Sequence, residues 1–305
     1  MKLLTYKSGK ADALGVLAAN EKEIYPLAAL GYDFKDMNDL IERITDQQME
    51  ALRAAIQEPC AAALKLEDTE LCSPIPHPKH DVICLGLNYV SHGEEAARIK
   101  KGEVWTGKRT TPVYFVKRMY DTTAPIGTAS DFSNINQTIG YGVELGVIMG
   151  KEAKNVPVEK AMEYVFGYTI INDLTARELG PRHHGPFMSK SPDGYMPMGP
   201  WIVTKDEFDH NPTPRLGIRA RVNGDLRQGS TTERVTFLPD YLIADLTKVM
   251  TLRAGTVIST GSPGEGELGY MVPKFLYAGD TVRCEIDGIG SITTTIVSAK
   301  KRKDG

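Results

Sequence analysis

The sequence predicts a mainly β protein with scattered helices, preceded by a small α+β domain. Three observations carry that reading. Short apolar runs bounded by turn residues recur from residue 81 to residue 298. One segment, from about Asp36 to Gln57, switches to helical spacing. Between them lies SPIPHPKH (73–80), whose Pro74, Pro76 and Pro78 hold the chain extended and exclude a helix. The boundary placed there divides the 305 residues into 1–75 and 76–305.

Along the first unit, KLLTYK, ALGVLAA and EIYPLA read as short strands. Met37, Leu40, Ile41, Ile44, Met49, Leu52 and Ile56 then recur as one apolar face, which predicts one or two amphipathic helices. In the second unit the strand runs are 81–89, 111–117, 141–150, 163–173, 199–205, 216–224, 256–260 and 280–298. Helices are expected at about 92–100, 157–163 and 239–250. The last two open near Pro157 and Pro239, where a first helical turn loses nothing for want of an N–H. No internal repeat of solenoid length occurs.

Composition excludes several classes. Lys plus Arg number 36 against 39 Asp plus Glu, so the net charge of −3 gives no electrostatic basis for a nucleic-acid partner. The KKRK run at 300–303 reads as a solvated tail. No stretch approaches the ~20 apolar residues of a membrane span, and Lys7 and Lys10 interrupt any leader-like run at the start. Cys60, Cys72, Cys84 and Cys284 lack metal-binding or redox spacing. They read as reduced thiols, and the expectation is a cytoplasmic protein.

Four constellations bear on chemistry. In GLNYVSHGEE (86–95), His92 and Glu95 are three apart and share one side of a helical turn. They read either as a carboxylate-steered general base or as a surface histidine with an incidental neighbour. Glu144 interrupts the apolar strand YGVELGVIMG, and Asp173 ends the run GYTIIND. Two carboxylates on successive apolar strands read either as oxygen ligands for Mg²⁺ or Mn²⁺ or as sheet-edge groups in water. Lys190, in MSKSPDG, either holds an anionic group or is an exposed loop lysine. STGSPGEG (259–266) lacks the lysine of a nucleotide-binding loop; it reads as a carboxylate cradle or a plain turn. GxSxG and HExxH are absent, so serine-hydrolase and zincin chemistries have no support.

Taken in order, GLNYxxHxxE, PVYFVK, YGVELGVIMGK, GYTIINDLTAR, SKSPDGYMPMGPWIV, VNGDLRQ, LRAGTVISTGSP and GDTVRCEIDGIG resemble the fumarylacetoacetate hydrolase (FAH) family over about residues 80–298. Residues 1–75 resemble the small N-terminal domain that many bacterial members carry. The resemblance implies a mixed β-roll, a homodimer, and Mg²⁺- or Mn²⁺-dependent chemistry on small oxo acids. Its branches are C–C hydrolysis of β-diketo acids and acylpyruvates, oxaloacetate decarboxylation, and isomerisation of related dienoates. Carried over by position, His92 and Glu95 match the water-activating dyad. Glu144 and Asp173 match metal carboxylates, and Lys190 matches the pocket lysine. Arg177, Ser262 and Tyr89 fall on the substrate side.

Two positions depart from the family pattern. Gly142 stands where Glu-x-Glu would supply another carboxylate, and Gly180 stands where Gln is frequent. The reading reached is a metal-dependent C–C hydrolase in which His92 activates water and Lys190 neutralises oxyanion charge. An isomerase, tautomerase or decarboxylase, and a silent metal-free ligand-binding member, are the alternatives. Whether Asp131 or Glu94 replaces the lost ligand stays open in the sequence; Asp131 reads otherwise as a solvated turn residue. His183 and His184, in GPRHHGPF, are expected on a surface lid.

Overall fold

A computed structural model describes residues 1–89, 110–132, 135–208, 214–264 and 274–299. His92, Glu95, Glu94 and the helix expected at 92–100 lie outside the described residues.

The chain opens with an antiparallel meander, β1 (Lys2–Ser8), β2 (Ala11–Leu17) and β3 (Glu23–Pro26), followed by the short β4 (Leu64–Lys65). Between β3 and β4 the helical period resolves into two helices. The first, α1 (Met37–Arg43), is capped by the Asp36 carboxylate, which accepts from Asp39 N. The second, α2 (Asp46–Ala55), starts with a reciprocal Thr45–Gln48 capping box.

The remaining strands build two sheets. A ten-stranded sheet has the order β4-β3-β2-β1-β12-β10-β9-β15-β5-β6. Its later members are β5 (Val82–Gly86), β6 (Val113–Lys117), β9 (Val143–Met149), β10 (Val165–Asn172), β12 (Met198–Thr204) and β15 (Val257–Ser259). Strand β1 pairs with β12 (Lys2 with Val203, Leu3 with Ile202), so this sheet runs unbroken from the N-terminal segment into the rest of the chain. A five-stranded sheet has the order β14-β13-β16-β17-β7. It comprises β7 (Ile126–Ser130), β13 (Gly217–Val222), β14 (Asp225–Thr231), β16 (Thr281–Ile286) and β17 (Gly290–Val297). A two-stranded piece pairs β8 (Ile139–Gly140) with β11 (Thr175–Ala176).

Burial follows the two-residue period of each strand. In β13 Ile218, Ala220 and Val222 point inward while Arg219 and Arg221 point out; in β17 Ile292, Thr294 and Ile296 are the inner set. Strand β9 is buried at every position, because both of its faces are covered. Val143, Leu145, Val147 and Met149 pack with the inner face of the five-stranded sheet. Ile148 joins the cluster that holds Leu40, Ile41 and Leu52 of the N-terminal helices. The layers are therefore helices, ten-stranded sheet and five-stranded sheet.

Three elements differ from expectation. The 157–163 segment is a 3-10 helix (Val158–Tyr164) rather than an α-helix, because it spans one short connection between the antiparallel neighbours β9 and β10. The 280–298 run is a hairpin; Asp287–Ile289 turn the chain, with Gly288 at φ +76°. The 180–187 turn contains two one-turn helices, α3 (Leu179–His183) and α4 (Pro186–Lys190), with Pro186 in the first turn of α4. The helix opened by Pro239 is α5 (Pro239–Val249). All four cysteines are free thiols, and three are buried.

Candidate functional site

Two buried carboxylates occupy the middle of the ten-stranded sheet. Glu144 is 2% exposed and Asp173 5%. Antiparallel pairing of β9 with β10 sets Ile171 opposite Glu144 and Asn172 opposite Val143, and Asp173 follows at once. Asp173 N donates to Gly142 O at 2.8 Å, which fixes the two acidic residues on adjoining chain segments. Neither sits at a sheet edge in water.

Asp173 is flanked by two ammonium groups. Lys117 Nζ donates to its Oδ1 at 2.7 Å, and Lys190 Nζ donates to its Oδ2. Burial opposes ionisation of Asp173, but Lys117 and Lys190 outweigh it and hold the carboxyl below the usual range. Lys117 is fully buried, and its other protons go to Leu174 O (2.9 Å) and Tyr195 O (2.6 Å). Burial pulls its pKa down, while Asp173 opposes that. Lys190 ends α4, is 16% exposed, and lies 4.9 Å from the centre of the Phe115 ring. It belongs to a helix end and an ion pair, not to an exposed loop.

Glu144 has a different setting. Its Oε2 accepts from Ser259 Oγ at 2.5 Å and from Gly261 N at 3.0 Å. Even so, desolvation first and the like charge of Asp173 second push its pKa above the carboxylate range. Gly261 takes φ +90°, and a Cβ there would stand 3.0 Å from Asn88 Cβ and 3.2 Å from Leu85 O. Only glycine places that N–H on Glu144.

Asn88, 1% exposed, clamps the end of the β5 segment onto this turn. Its Nδ2 donates to Thr260 O (2.8 Å) and Phe237 O (3.1 Å), and its Oδ1 accepts from Phe237 N (2.9 Å). Tyr89, 1% exposed, pairs with Val235 in an isolated bridge. Burial and the charge of Glu144 raise its phenol pKa, so it stays a neutral hydroxyl.

The structure thus brings Glu144, Asp173 and Lys190 together, with Ser262 beside Gly142 at their edge and Tyr89 within the field of Glu144. Arg177 follows β11, and its N–H donates to Thr138 O at 3.1 Å. His183 and His184 are exposed. Asp131 is not solvated: it is 7% exposed and accepts from Ala299 N at 2.8 Å, which commits it to the chain's end. Sequence reading missed Lys117, and it named the 259–266 and 86–95 segments without singling out Ser259 or Asn88. For Lys117 a signal existed, since strand alternation puts it on the same face as Phe115.

The profile of the fumarylacetoacetate (FAA) hydrolase C-terminal family matches residues 81–297. An uncharacterized protein of Staphylococcus aureus (strain USA300) is 33% identical over 312 residues, covering 97% of this chain and 99% of its own. Among solved structures, a fumarylacetoacetate hydrolase from psychrophilic Exiguobacterium antarcticum superposes with a TM-score of 0.82 at 30% identity, covering 98% of this chain and all of its own. Maleylpyruvate hydrolase from Sphingobium sp. SYK-6, in complex with manganese(II) and pyruvate, gives 0.75 at 28% identity with the same coverage. A 5-carboxymethyl-2-hydroxymuconate delta-isomerase from Mycobacterium smegmatis gives 0.74 at 25%, again over 98% and 100% of the two chains.

Proposed function

We propose that this chain, which belongs to the fumarylacetoacetate hydrolase family, is a divalent-cation-dependent hydrolase of a small β-diketo acid or acylpyruvate. The observation that carries the reading is the pair of buried carboxylates, Glu144 and Asp173, meeting Lys190 in one site. The family's solved members include hydrolases and an isomerase, so activity on oxo acids is the shared ground, and the branch is the proposal.

The donor set fits a hard cation. Among the described residues, Ser259 Oγ and Gly261 N both bond Glu144 through Oε2, and Oε1 lies toward Gly142. Burial first, and the like charge of Asp173 second, raise the pKa of Glu144, and a bound cation would relieve both. Among the described residues no third His, Cys, Asp or Glu joins the pair. Mg²⁺ and Mn²⁺ suit such a site, since Mg²⁺ keeps several waters and both prefer oxygen. When bound, the cation supplies the positive charge that stabilises the enolate developing as the C–C bond breaks.

The chain's own groups do the rest. His92, steered by Glu95, removes a proton from water, and the hydroxide oxygen adds to the distal carbonyl carbon. The bond between that carbon and the methylene carbon then breaks. Its electron pair passes into the enolate of the 2-oxo acid, which a proton quenches to give pyruvate or a homologue, beside a carboxylic acid. Lys190 offsets the substrate's carboxylate or oxyanion charge, and Lys117 keeps Asp173 ionised. Arg177, Ser262 and Tyr89 stand on the substrate side in this reading. A homodimer in the cytoplasm is part of the same proposal.

The test is product analysis. Acylpyruvates incubated with Mn²⁺-loaded protein should yield two fragments, pyruvate and a carboxylic acid. One rearranged molecule from the same dienol or oxo acids would make the protein an isomerase. CO₂ release from oxaloacetate would make it a decarboxylase. Ligand-induced stabilisation with no turnover would make it a binding protein.

A further inference from the structure

The point where Gly142 would carry a Cβ is already taken. A Cβ built there meets Ser262 Oγ at 2.7 Å and Ser262 Cβ at 2.8 Å, with Glu144 Oε1 at 3.5 Å. The first two are closer than packed carbon atoms tolerate. Gly142 does not lie in the left-handed region, so space alone keeps a side chain out.

Ser262 is held against Gly142 by more than its own packing. The turn that carries it is bound to β9 at several points. Thr260 N and Thr260 Oγ1 both donate to Leu145 O, at 3.1 and 2.9 Å. Gln228, 2% exposed, ties the two segments from the side. Its Oε1 accepts from Val143 N at 3.0 Å and its Nε2 donates to Pro263 O at 2.8 Å. The residues after Gly142 and after Ser262 are thus joined through one buried amide.

We propose that the Ser262 hydroxyl is the third protein oxygen of the cation site formed by Glu144 and Asp173, and that Gly142 lacks a side chain in order to admit it. The proposal rests on the cation reading above. A serine hydroxyl has two acceptor lone pairs, and its neutral oxygen suits Mg²⁺ or Mn²⁺. It also adds no negative charge beside the two buried carboxylates.

The experiment measures Mn²⁺ binding to EDTA-stripped full-length protein, from the electron paramagnetic resonance signal of free Mn²⁺. Wild type is compared with Ser262→Ala, Gly142→Ala, the double variant Gly142→Ala/Ser262→Ala, and Asp173→Asn. Ser262→Ala removes one oxygen of the site and should weaken Mn²⁺ binding at least roughly tenfold, since loss of even an outer-shell partner costs about 10–100-fold. Gly142→Ala should weaken it as much by displacing Ser262, and should cause no further loss once Ser262 is alanine. If Ser262→Ala binds Mn²⁺ like wild type while Asp173→Asn does not, the assignment of Ser262 fails and the cation reading stands. A second full loss on adding Gly142→Ala to Ser262→Ala would refute the role given to Gly142. If wild type itself does not bind Mn²⁺, the cation reading fails and this assignment with it.

Discussion

Replacing Lys117 by methionine removes the buried ammonium with little change in side-chain volume. In the structure three acceptors lose their donor at once: Asp173 Oδ1, Leu174 O and Tyr195 O. Breaking one partner of a buried ion pair costs about 3–5 kcal/mol, because the other charge stays in place without its partner. Here Lys190 remains on Asp173 Oδ2, and methionine escapes the desolvation that burial imposes on Lys117. Both effects move the expected cost to the lower end, about 3 kcal/mol. An unfolding entropy of about 2.1 cal/mol/K per residue over 305 residues gives about 0.6 kcal/mol/K, if the chain unfolds as one unit. The melting temperature should therefore fall by about 5 °C. Scanning calorimetry in EDTA at pH 7 reads this directly. The double variant Lys117→Met/Asp173→Asn should lose less than the two single losses summed, since each single change strands the other's charge. A melting temperature within about 1 °C of wild type for Lys117→Met would refute the reasoning. So would strict additivity in the double variant.

The two carboxylates predict opposite pH dependences. The native pKa of Glu144 is raised, so the unfolded chain ionises first, and Glu144 costs stability as pH rises past the ordinary carboxylate value. In EDTA, Glu144→Gln should match wild type near pH 4 and gain on it in urea midpoint as pH rises; a gap independent of pH would contradict this. The native pKa of Asp173 is depressed, so its stabilisation is present above about pH 4 and is lost as pH falls through the native value. The acid unfolding of Asp173→Asn should therefore show a shallower slope than that of wild type. Asn88→Ala strands Thr260 O and Phe237 O, both held by its Nδ2, and should cost about 2–3 kcal/mol in urea denaturation; a loss below about 0.5 kcal/mol would reduce Asn88 to a passive filler. His92→Ala should lower kcat by about 10²–10⁴ at unchanged fold; near-wild-type turnover would remove His92 from the mechanism.

Residues with an unfavourable local setting were the ones legible in the sequence. Glu144 stood out because an ionisable group inside YGVELGVIMG needs a reason to be buried, and Asp173 stood out in the same way after GYTIIND. Lys190 was legible only as a candidate; its tie to Asp173 depends on α4 packing beside β6 and β11. For Lys117 the signal was weak, its place on the Phe115 face of β6. A lysine closing an apolar strand has the pattern of a solvated end, and its three acceptors come from residues 173, 174 and 195. Strand periodicity is local, so it located most strands, but the partner of β1 lies about two hundred residues away in β12. Gly142 was visible as a substitution in the family pattern. That Ser262 occupies the space it leaves depends on Gln228 and on two turns meeting in space.

Calorimetric titration of the EDTA-stripped protein with Mn²⁺ or Mg²⁺, with and without oxalate as an enolpyruvate mimic, tests the central claim most directly. The account predicts linked binding: oxalate binds tightly only when the cation is present, and the cation binds more tightly in oxalate. Glu144→Gln and Asp173→Asn should each abolish the linkage. Oxalate binding with equal affinity in EDTA and in Mn²⁺, or no heat in any combination, would contradict it.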